Sequence, residues 1–488
     1  MNLRRTPSRG RWDAVVVGTG VGGSVTAALL AARGLRVLVL EKNEAPGGIL
    51  ASHRRDGFKL DAGSHLVSRG AKGPLGSVLR ELGLERPRFL THRIPVRSRG
   101  VFCATAPPHR RGLPRFAVEA ARALHLPPRE VARLARLVFQ LFTLTEPELR
   151  AWDRCTLDQF IRRHTEHPAA YFLFSFLASI FFVLPPWRVS AGESIRCLRR
   201  LLLDYSLSYV EGGMDALPLA LLSVVERAGG EVVVGQRAAR IERRGGRLLV
   251  RTARGDEAEA PAVACNMAPA DLLPLLDDVP EEWAARARAI VPSGNAHQLK
   301  LALRRPLVDE GCLIGGLSPL GLTVDDLTLP LLERTVAAIE AGRATDPLAV
   351  YAPVPTNFDP TLAPPGRQLI VASIYGPVRD DPADPPEVWQ QRALRALAGA
   401  IPGLLDELIF VEWTPIPSVG RWMGKSSNAA ICNGQVPGQV GRDRLPVQTP
   451  VPGVFLCGDG AGGRGIGTEM AAASAREAAR AILNARGA

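Results

Sequence analysis

The sequence predicts an α/β fold in which a parallel, doubly wound sheet is interrupted by a second, α+β domain. Three observations predict it. A short β-branched run at residues 12–17 passes directly into a glycine-rich turn and then an alanine-rich stretch. A second strand-like run at 452–457 enters another glycine-rich turn, followed by a strong helix former at 468–484. The 488 residues exceed what one compact core holds, so two intertwined domains are expected.

Trp12-Asp-Ala-Val-Val-Val17 has the continuous apolar character of a buried parallel strand. Gly18-Thr-Gly20-Val-Gly22-Gly23 comes next, a G-x-G-x-x-G pattern, and residues 24–33 read as a helix ended by Gly34. Residues 35–40 form the next strand, with Glu41 at its tip. Each part has a mechanical role. Gly18 permits the tight turn, Gly20 lets the backbone approach a pyrophosphate, and Gly23 lets helix and strand pack closely. The helix N-terminus offers free N–H groups to phosphates, and Glu41 can accept from ribose hydroxyls. The strand before, the helix after and the acid beyond make this a dinucleotide site.

Two motifs just beyond Glu41 separate the possible dinucleotides. Ala45-Pro-Gly47-Gly48 and Gly57-Phe-Lys-Leu-Asp-Ala-Gly63 resemble the FAD family that holds amine oxidases, protoporphyrinogen oxidase, phytoene desaturases and carotenoid isomerases. The resemblance implies FAD as cofactor, in a Rossmann-like FAD-binding domain of the amine oxidase/glutathione reductase type. It places Gly18, Gly20, Gly22, Gly23, Glu41, Lys42, Gly47 and Gly48 around the ADP half, and Gly63, Ser64 and His65 along the cofactor channel; a structural histidine is the other reading of His65. Gly458-Asp459-Gly460 after the last strand matches the family's ribityl and diphosphate contact. Gly458 and Asp459 are therefore site candidates, with Gly465, Ile466 and Gly467 under the flavin ring. A helix N-terminus there would stabilise the negative charge of reduced flavin by about 0.3–1 kcal/mol.

In the middle, Tyr209-Val-Glu-Gly-Gly-Met214, a helix, a Gly-Gly strand, a hairpin turning at 244–246 and a strand ending in Asn266 keep the order seen in phytoene desaturases. This brings Asn266 and Ala238 to the cofactor. Ala238 stands where the family commonly has Val, which leaves the adenine contact open. The chain divides accordingly: FAD-binding segments at 1–105, 210–290 and 405–488, and substrate-domain segments at 106–209 (helical and apolar) and 291–404. No second acid-tipped strand comes after residue 458, so no separate NAD domain is expected, and electrons would pass to oxygen or a quinone.

The net charge of +12 points either to an anionic partner or to an arginine-rich composition with no dedicated partner. No nucleic-acid-binding signature is present, which favours a peripheral membrane surface over nucleic acid. Arginine-studded helices at 115–126 and 128–142 have an apolar face that could lie on such a surface or serve as an ordinary cap. The uncharged run at 169–187 is either a buried helix or a shallow membrane dip. Seven cysteines without a C-x-x-C pair read as reduced thiols. They indicate a cytoplasmic protein, peripheral at most on the inner face of the membrane. No metal pattern and no Ser-His-Asp arrangement occurs, and no catalytic residue beyond the flavin is identifiable.

The resemblance implies a flavin-dependent oxidoreductase acting on a hydrophobic polyene or isoprenoid such as a carotenoid, by desaturation, saturation or isomerisation. The alternative is an amine or amino-acid oxidase, with Lys425 positioning water near the flavin. Five tyrosines leave little for an aromatic cage. A third reading, a prenyl-protein escort without flavin, conflicts with the intact glycines and Glu41.

Overall fold

The structure, a computed structural model, describes residues 3–8, 10–63, 66–92, 96–97, 103–104, 113–204, 207–315, 328–346, 350–379, 381–414 and 416–487. Five short strands form one parallel sheet: β1 (Ala14–Val17), β2 (Val37–Leu40), β3 (Glu231–Val233), β4 (Val263–Cys265) and β5 (Val454–Leu456). Their spatial order is β3-β2-β1-β4-β5, with Val15 opposite Leu38 on one side and Val263 on the other. Every residue of β1 and β2 is buried. Alternate side chains feed different cores. Ala14, Val16, Val37 and Val39 face one, whereas Val15, Val17, Leu38 and Leu40 face the other. A sheet covered on both faces selects continuous apolar runs, which is why these strands were visible in the sequence.

Five helices bear on the site: α1 (Val21–Ala31), α2 (Pro168–Phe182), α3 (Ala191–Asp204), α4 (Ala216–Arg227) and α5 (Thr468–Gly487). Helices α1, α4 and α5 cover one face of the parallel sheet. Ala27, Ala28, Ala472, Ala475 and Ala479 share that core, and their small side chains let α1 and α5 approach closely. Thr26 Oγ1 lies 3.4 Å from the Ala475 carbonyl across this seam. An antiparallel layer, Ala238–Arg244, Arg247–Thr252 and Glu257–Ala260, covers the other face.

A second, mostly antiparallel sheet has seven strands. They run in the order Leu408–Thr414, Asn295–Leu303, Gln368–Gly376, Val350–Pro353, Cys312–Gly315, Val96–Arg97 and Cys103–Ala104. The first and the last two belong to stretches that sequence grouped with the nucleotide half. They pair here instead because cross-strand partners claim them: Glu412 lies opposite Lys300, 2.8 Å from its ammonium. Trp389 from helix Pro386–Ala400 packs beneath this sheet. A helical cap completes the molecule. Helices Pro128–Thr143, Leu157–Arg162, α2 and α3 share a core of Leu137, Phe160, Tyr171, Phe182 and Ile195. The uncharged run at 169–187 thus contributes α2, and no described helix is long and apolar enough to cross a membrane.

Candidate functional site

A cavity of about 390 Å³ runs from the β1–α1 turn, past Asp459, to the N-terminus of α5 and onto the second sheet. Its nucleotide end is built by close approach of two glycine turns. A Cβ on Gly22 would stand 2.5 Å from the Gly458 Cα, and one on Gly23 would stand 1.9 Å from the Gly18 carbonyl oxygen. No side chain fits at either position. The Asn266 amide sits between the two turns, its Oδ1 within 2.6 Å of the Gly22 Cβ position. This backbone cradle opens onto the N-terminus of α1, whose N–H groups and dipole suit a diphosphate. The donors and the room present therefore fit FAD.

Glu41 is buried at the tip of β2. Its Oε2 accepts from the Thr19 amide (2.9 Å) and the Thr19 hydroxyl (2.5 Å), and its Oε1 accepts from the Asn43 amide at 2.9 Å. Thr19 Oγ1 in turn accepts from the Gly47 amide at 2.9 Å. These bonds lock the acid's orientation at the cavity wall, and Gly47 and Gly48 are folded back over the turn. Lys42 faces the other way. Its ammonium donates to the Asn43 side chain (2.9 Å) and to the Arg421 and Trp422 carbonyls, fastening helix Ile416–Met423 over the adenosine end. Burial, and then Arg237 nearby, lower its pKa. Ala238 and Arg237 line the same end.

Asp459 marks the middle of the cavity. Its Oδ2 accepts from the Cys432 amide at 2.8 Å and lies 3.9 Å from the Lys425 ammonium. Burial opposes its ionisation, but Lys425 and the Cys432 amide hold its pKa below the usual carboxylate value. Burial likewise opposes the charge on Lys425, yet with Cys432, Asp459 and Asp271 beside it the ammonium is held above its usual range. Burial pushes the Cys432 thiol up to about 12, so it is a neutral wall group. Lys425 is thus engaged with the acids of the nucleotide side.

Beyond Asp459 the wall changes character. The second sheet contributes Ala296, Val350, Tyr351, Ser373, Ile374 and Tyr375, and the cap contributes Ile180, Phe181 and Val183. Ile466, Gly467 and Thr468 close this end at the start of α5. Val183 has φ 51°, a conformation costly for a β-branched residue, and its carbonyl accepts from the Gly294 amide at 2.7 Å.

Of the residues singled out from sequence, Gly18, Gly20, Gly22, Glu41, Lys42, Gly48, Ala238, Asn266, Asp459, Ile466 and Gly467 line this one cavity. Gly23, Gly47, Gly458 and Gly465 stand directly behind it, bracing those that do. Gly63 is buried but off the cavity wall, and Ser64 and His65 lie outside the described residues. The 57–63 motif instead shows a knot. Asp61 accepts from Ser52 Oγ (2.8 Å), the Met214 amide (3.2 Å) and the Tyr209 hydroxyl, joining it to the 209–214 motif, and burial raises its pKa. Sequence reasoning missed Thr19, which occupies the variable position of G-x-G, and Tyr351, Tyr375 and Val183, which carry no local pattern at all.

With this geometry in place, the chain's relatives can be set beside it. Residues 22–483 match the family of flavin containing amine oxidoreductases. All-trans-retinol 13,14-reductase of Macaca fascicularis is 27% identical over 250 residues, 45% of this chain and 40% of that protein. Prolycopene isomerase 2 of an Oncidium hybrid cultivar is 52% identical over 56 residues, 12% of this chain and 10% of that protein. The chain thus spans well under half the length of these curated relatives. Among solved structures, an oxidoreductase from Methanosarcina mazei superposes with a TM-score of 0.71 at 19% identity, covering 97% of this chain and 100% of that one. Cyclohexylamine oxidase from Brevibacterium oxydans gives 0.63 at 16%, covering 98% and 100%. Cradle, fold and family match agree: this chain belongs to the family of flavin containing amine oxidoreductases.

Proposed function

We propose that this flavoenzyme acts on an apolar polyene or isoprenoid, a carotenoid or retinoid, by desaturation, saturation or cis-trans isomerisation. One observation carries the reading. Among the described cavity residues supplied by the second sheet and α2, none is charged. A substrate ammonium entering there would lose its water without a counter-ion, at a cost of several kcal/mol. A hydrocarbon would gain about 25 cal/mol for each Å² it buries. The partial relatives named for retinol and prolycopene chemistry support the same choice.

Bound FAD supplies hydride acceptance or donation at its ring. The chain does the rest. Glu41 would hold the ribose, the glycine turns would seat the diphosphate, Asp459 would take the ribityl chain, and the N-terminus of α5 would favour negative charge beside Thr468. Ile180, Phe181, Val350 and Ile374 exclude water and align the substrate. We assign the nucleotide half to the parallel sheet with its flanking layers, and the substrate half to the second sheet with the cap. In desaturation, oxygen or a quinone would take the electrons from the flavin; saturation would instead draw them from a reductant that reloads it, and isomerisation needs neither. The proposed surface is an anionic membrane: Val131, Ala135, Phe139 and Phe142 form an exposed apolar stripe at helical spacing, flanked by exposed Arg129, Arg133 and Arg136.

A second reading, amine oxidation, draws on Tyr351 and Tyr375, which reach the cavity from neighbouring strands. The test is anaerobic. The oxidised enzyme is mixed with carotenoids, retinol or amines, and the dithionite-reduced enzyme with the polyenes, while the flavin band is monitored and polyene products are separated by chromatography. Polyene-dependent change of the band or of the polyene isomers is expected. Bleaching by amines, with polyenes unchanged, would overturn the proposal.

A further inference from the structure

The helical cap is tied to the flavin end by a buried chain of ionic groups. Arg196 donates to Asp153 Oδ1 at 2.6 Å and to Glu146 at 3.1 Å. The other oxygen of Asp153 accepts from Arg464 at 2.8 Å. Arg464 also pairs with Glu193 Oε2, and Glu193 Oε1 accepts from the Gly465 amide at 3.1 Å. The side chains of Arg196, Asp153 and Glu193 are 6%, 8% and 3% exposed. On the opposite side, Gln435 Nε2 donates to the Gly465 carbonyl at 2.5 Å. Both backbone polar groups of Gly465, its N–H and its C=O, are thus taken by side chains from outside its own loop. The next residue, Ile466, lines the cavity and packs against the cap core.

The loop does not set its own shape. Gly463, Gly465 and Gly467 have φ of 63°, 127° and 45°, a region glycine enters without steric cost but does not prefer over others. Something must choose among the conformations open to it, and Glu193 and Gln435 do. A buried ionic network is also a poor stabiliser, since apolar replacements often serve as well. Its presence here calls for a role beyond holding the fold.

We propose that Glu193 is a positioning residue for the flavin, fixing the loop through Gly465 and setting the flavin's reduction potential through its charge. With the flavin ring seated at the end of the cavity that Ile466 and Gly467 line, as proposed above, reduction would gather negative charge there. The Glu193 carboxylate, bonded to that loop, opposes this charge, and Arg464 and Asp153 tune how strongly. The inference depends on FAD and not on which substrate the enzyme takes.

The isosteric variant Glu193→Gln keeps an acceptor for the Gly465 amide and removes the charge. Its FAD-loaded form should bind flavin as the wild type does, while its reduction potential rises. The expected change is roughly tenfold in the reduction equilibrium, about 30 mV for a two-electron couple. It is measured by equilibrium reduction against a reference dye. Glu193→Ala, lacking the acceptor, should in addition release FAD faster. Asp153→Asn reads the same network from the far end of Arg464, with a smaller shift of the same sign. A wild-type potential in Glu193→Gln holoenzyme overturns the proposal. So does failure of both Glu193→Gln and Asp153→Asn to accumulate with FAD, which would make the network a folding element only.

Discussion

Gly22→Ala tests the way the two glycine turns meet. A Cβ at residue 22 would lie 2.5 Å from the Gly458 Cα and 2.6 Å from Asn266 Oδ1. Carbon contacts in packed interiors settle near 3.5–4.0 Å, so the turns must separate by about 1 Å. Both turns are anchored to strands of one buried sheet: β1 and β5 flank β4 and each pairs with it. The strain cannot relax by moving a surface loop. Overpacking of this kind costs about 1–3 kcal/mol. It falls on the cradle that receives the diphosphate, so it should appear chiefly as lost FAD affinity, about 5- to 150-fold at 1.4 kcal/mol per decade. Gly399→Ala is the control, since Gly399 lies in helix Pro386–Ala400 and its Cβ would meet nothing within 4 Å. That exchange should stabilise by roughly 0.5–1 kcal/mol. Flavin fluorescence titration of the apoprotein reads affinity, and thermal melts read stability. Wild-type FAD affinity in Gly22→Ala would refute the reasoning.

Two further outcomes concern residues far from the cradle. His297 is stacked between Trp389 and Trp413, with ring centroids 5.6 Å away in each case, and burial pushes its pKa down to about 3. A depressed base binds fewer protons in the folded state, so its contribution is complete above the unfolded value near 6.5 and is lost as pH falls toward 3, by up to about 5 kcal/mol. His297→Phe keeps the stack and should flatten the melting temperature between those limits; an unchanged slope would remove His297 from the acid response. On the cap, Phe139 is 67% exposed, and Phe139→Asp should lower partition onto phosphatidylglycerol vesicles about tenfold or more, given about 1.5–3 kcal/mol for burying such a side chain. Equal sedimentation of both forms with these vesicles would refute a membrane role for this stripe.

The nucleotide half was legible because its chemistry is written locally. Glycines at 18, 20 and 23, with Glu41 at the next strand tip, are separated by one turn, one helix and one strand, and those lengths are constrained by packing. The same holds for Asp459 and the helix behind it. What escaped was pairing over long distances. Nothing near Glu193 points to Gly465, nor near Lys42 to the Trp422 carbonyl, because hydrogen bonds between distant segments leave no periodic trace. Strand Leu408–Thr414 is a mostly apolar, half-buried run, and only its pairing with distant Asn295–Leu303, where Glu412 lies opposite Lys300, reveals which sheet it joins. The cavity's apolar half was invisible for a related reason. Tyr351 and Tyr375 are single residues on strands whose pattern reports burial, without saying which buried face is lined by a cavity.

The parallel sheet is assembled from three widely separated stretches of chain, and this governs how the protein can be made. While a ribosome is still adding the middle of the chain, β4 presents an unpaired edge and α1 lacks the alanine face of α5. Both stay open until residues 454–487 have emerged. Pairing across such distances is slow, and it leaves the apolar cap helices waiting beside an incomplete neighbour. A ligand that binds only the finished form draws the equilibrium toward it by mass action. The amount of intact enzyme a cell accumulates should therefore rise with its supply of flavin during synthesis, before any substrate is met.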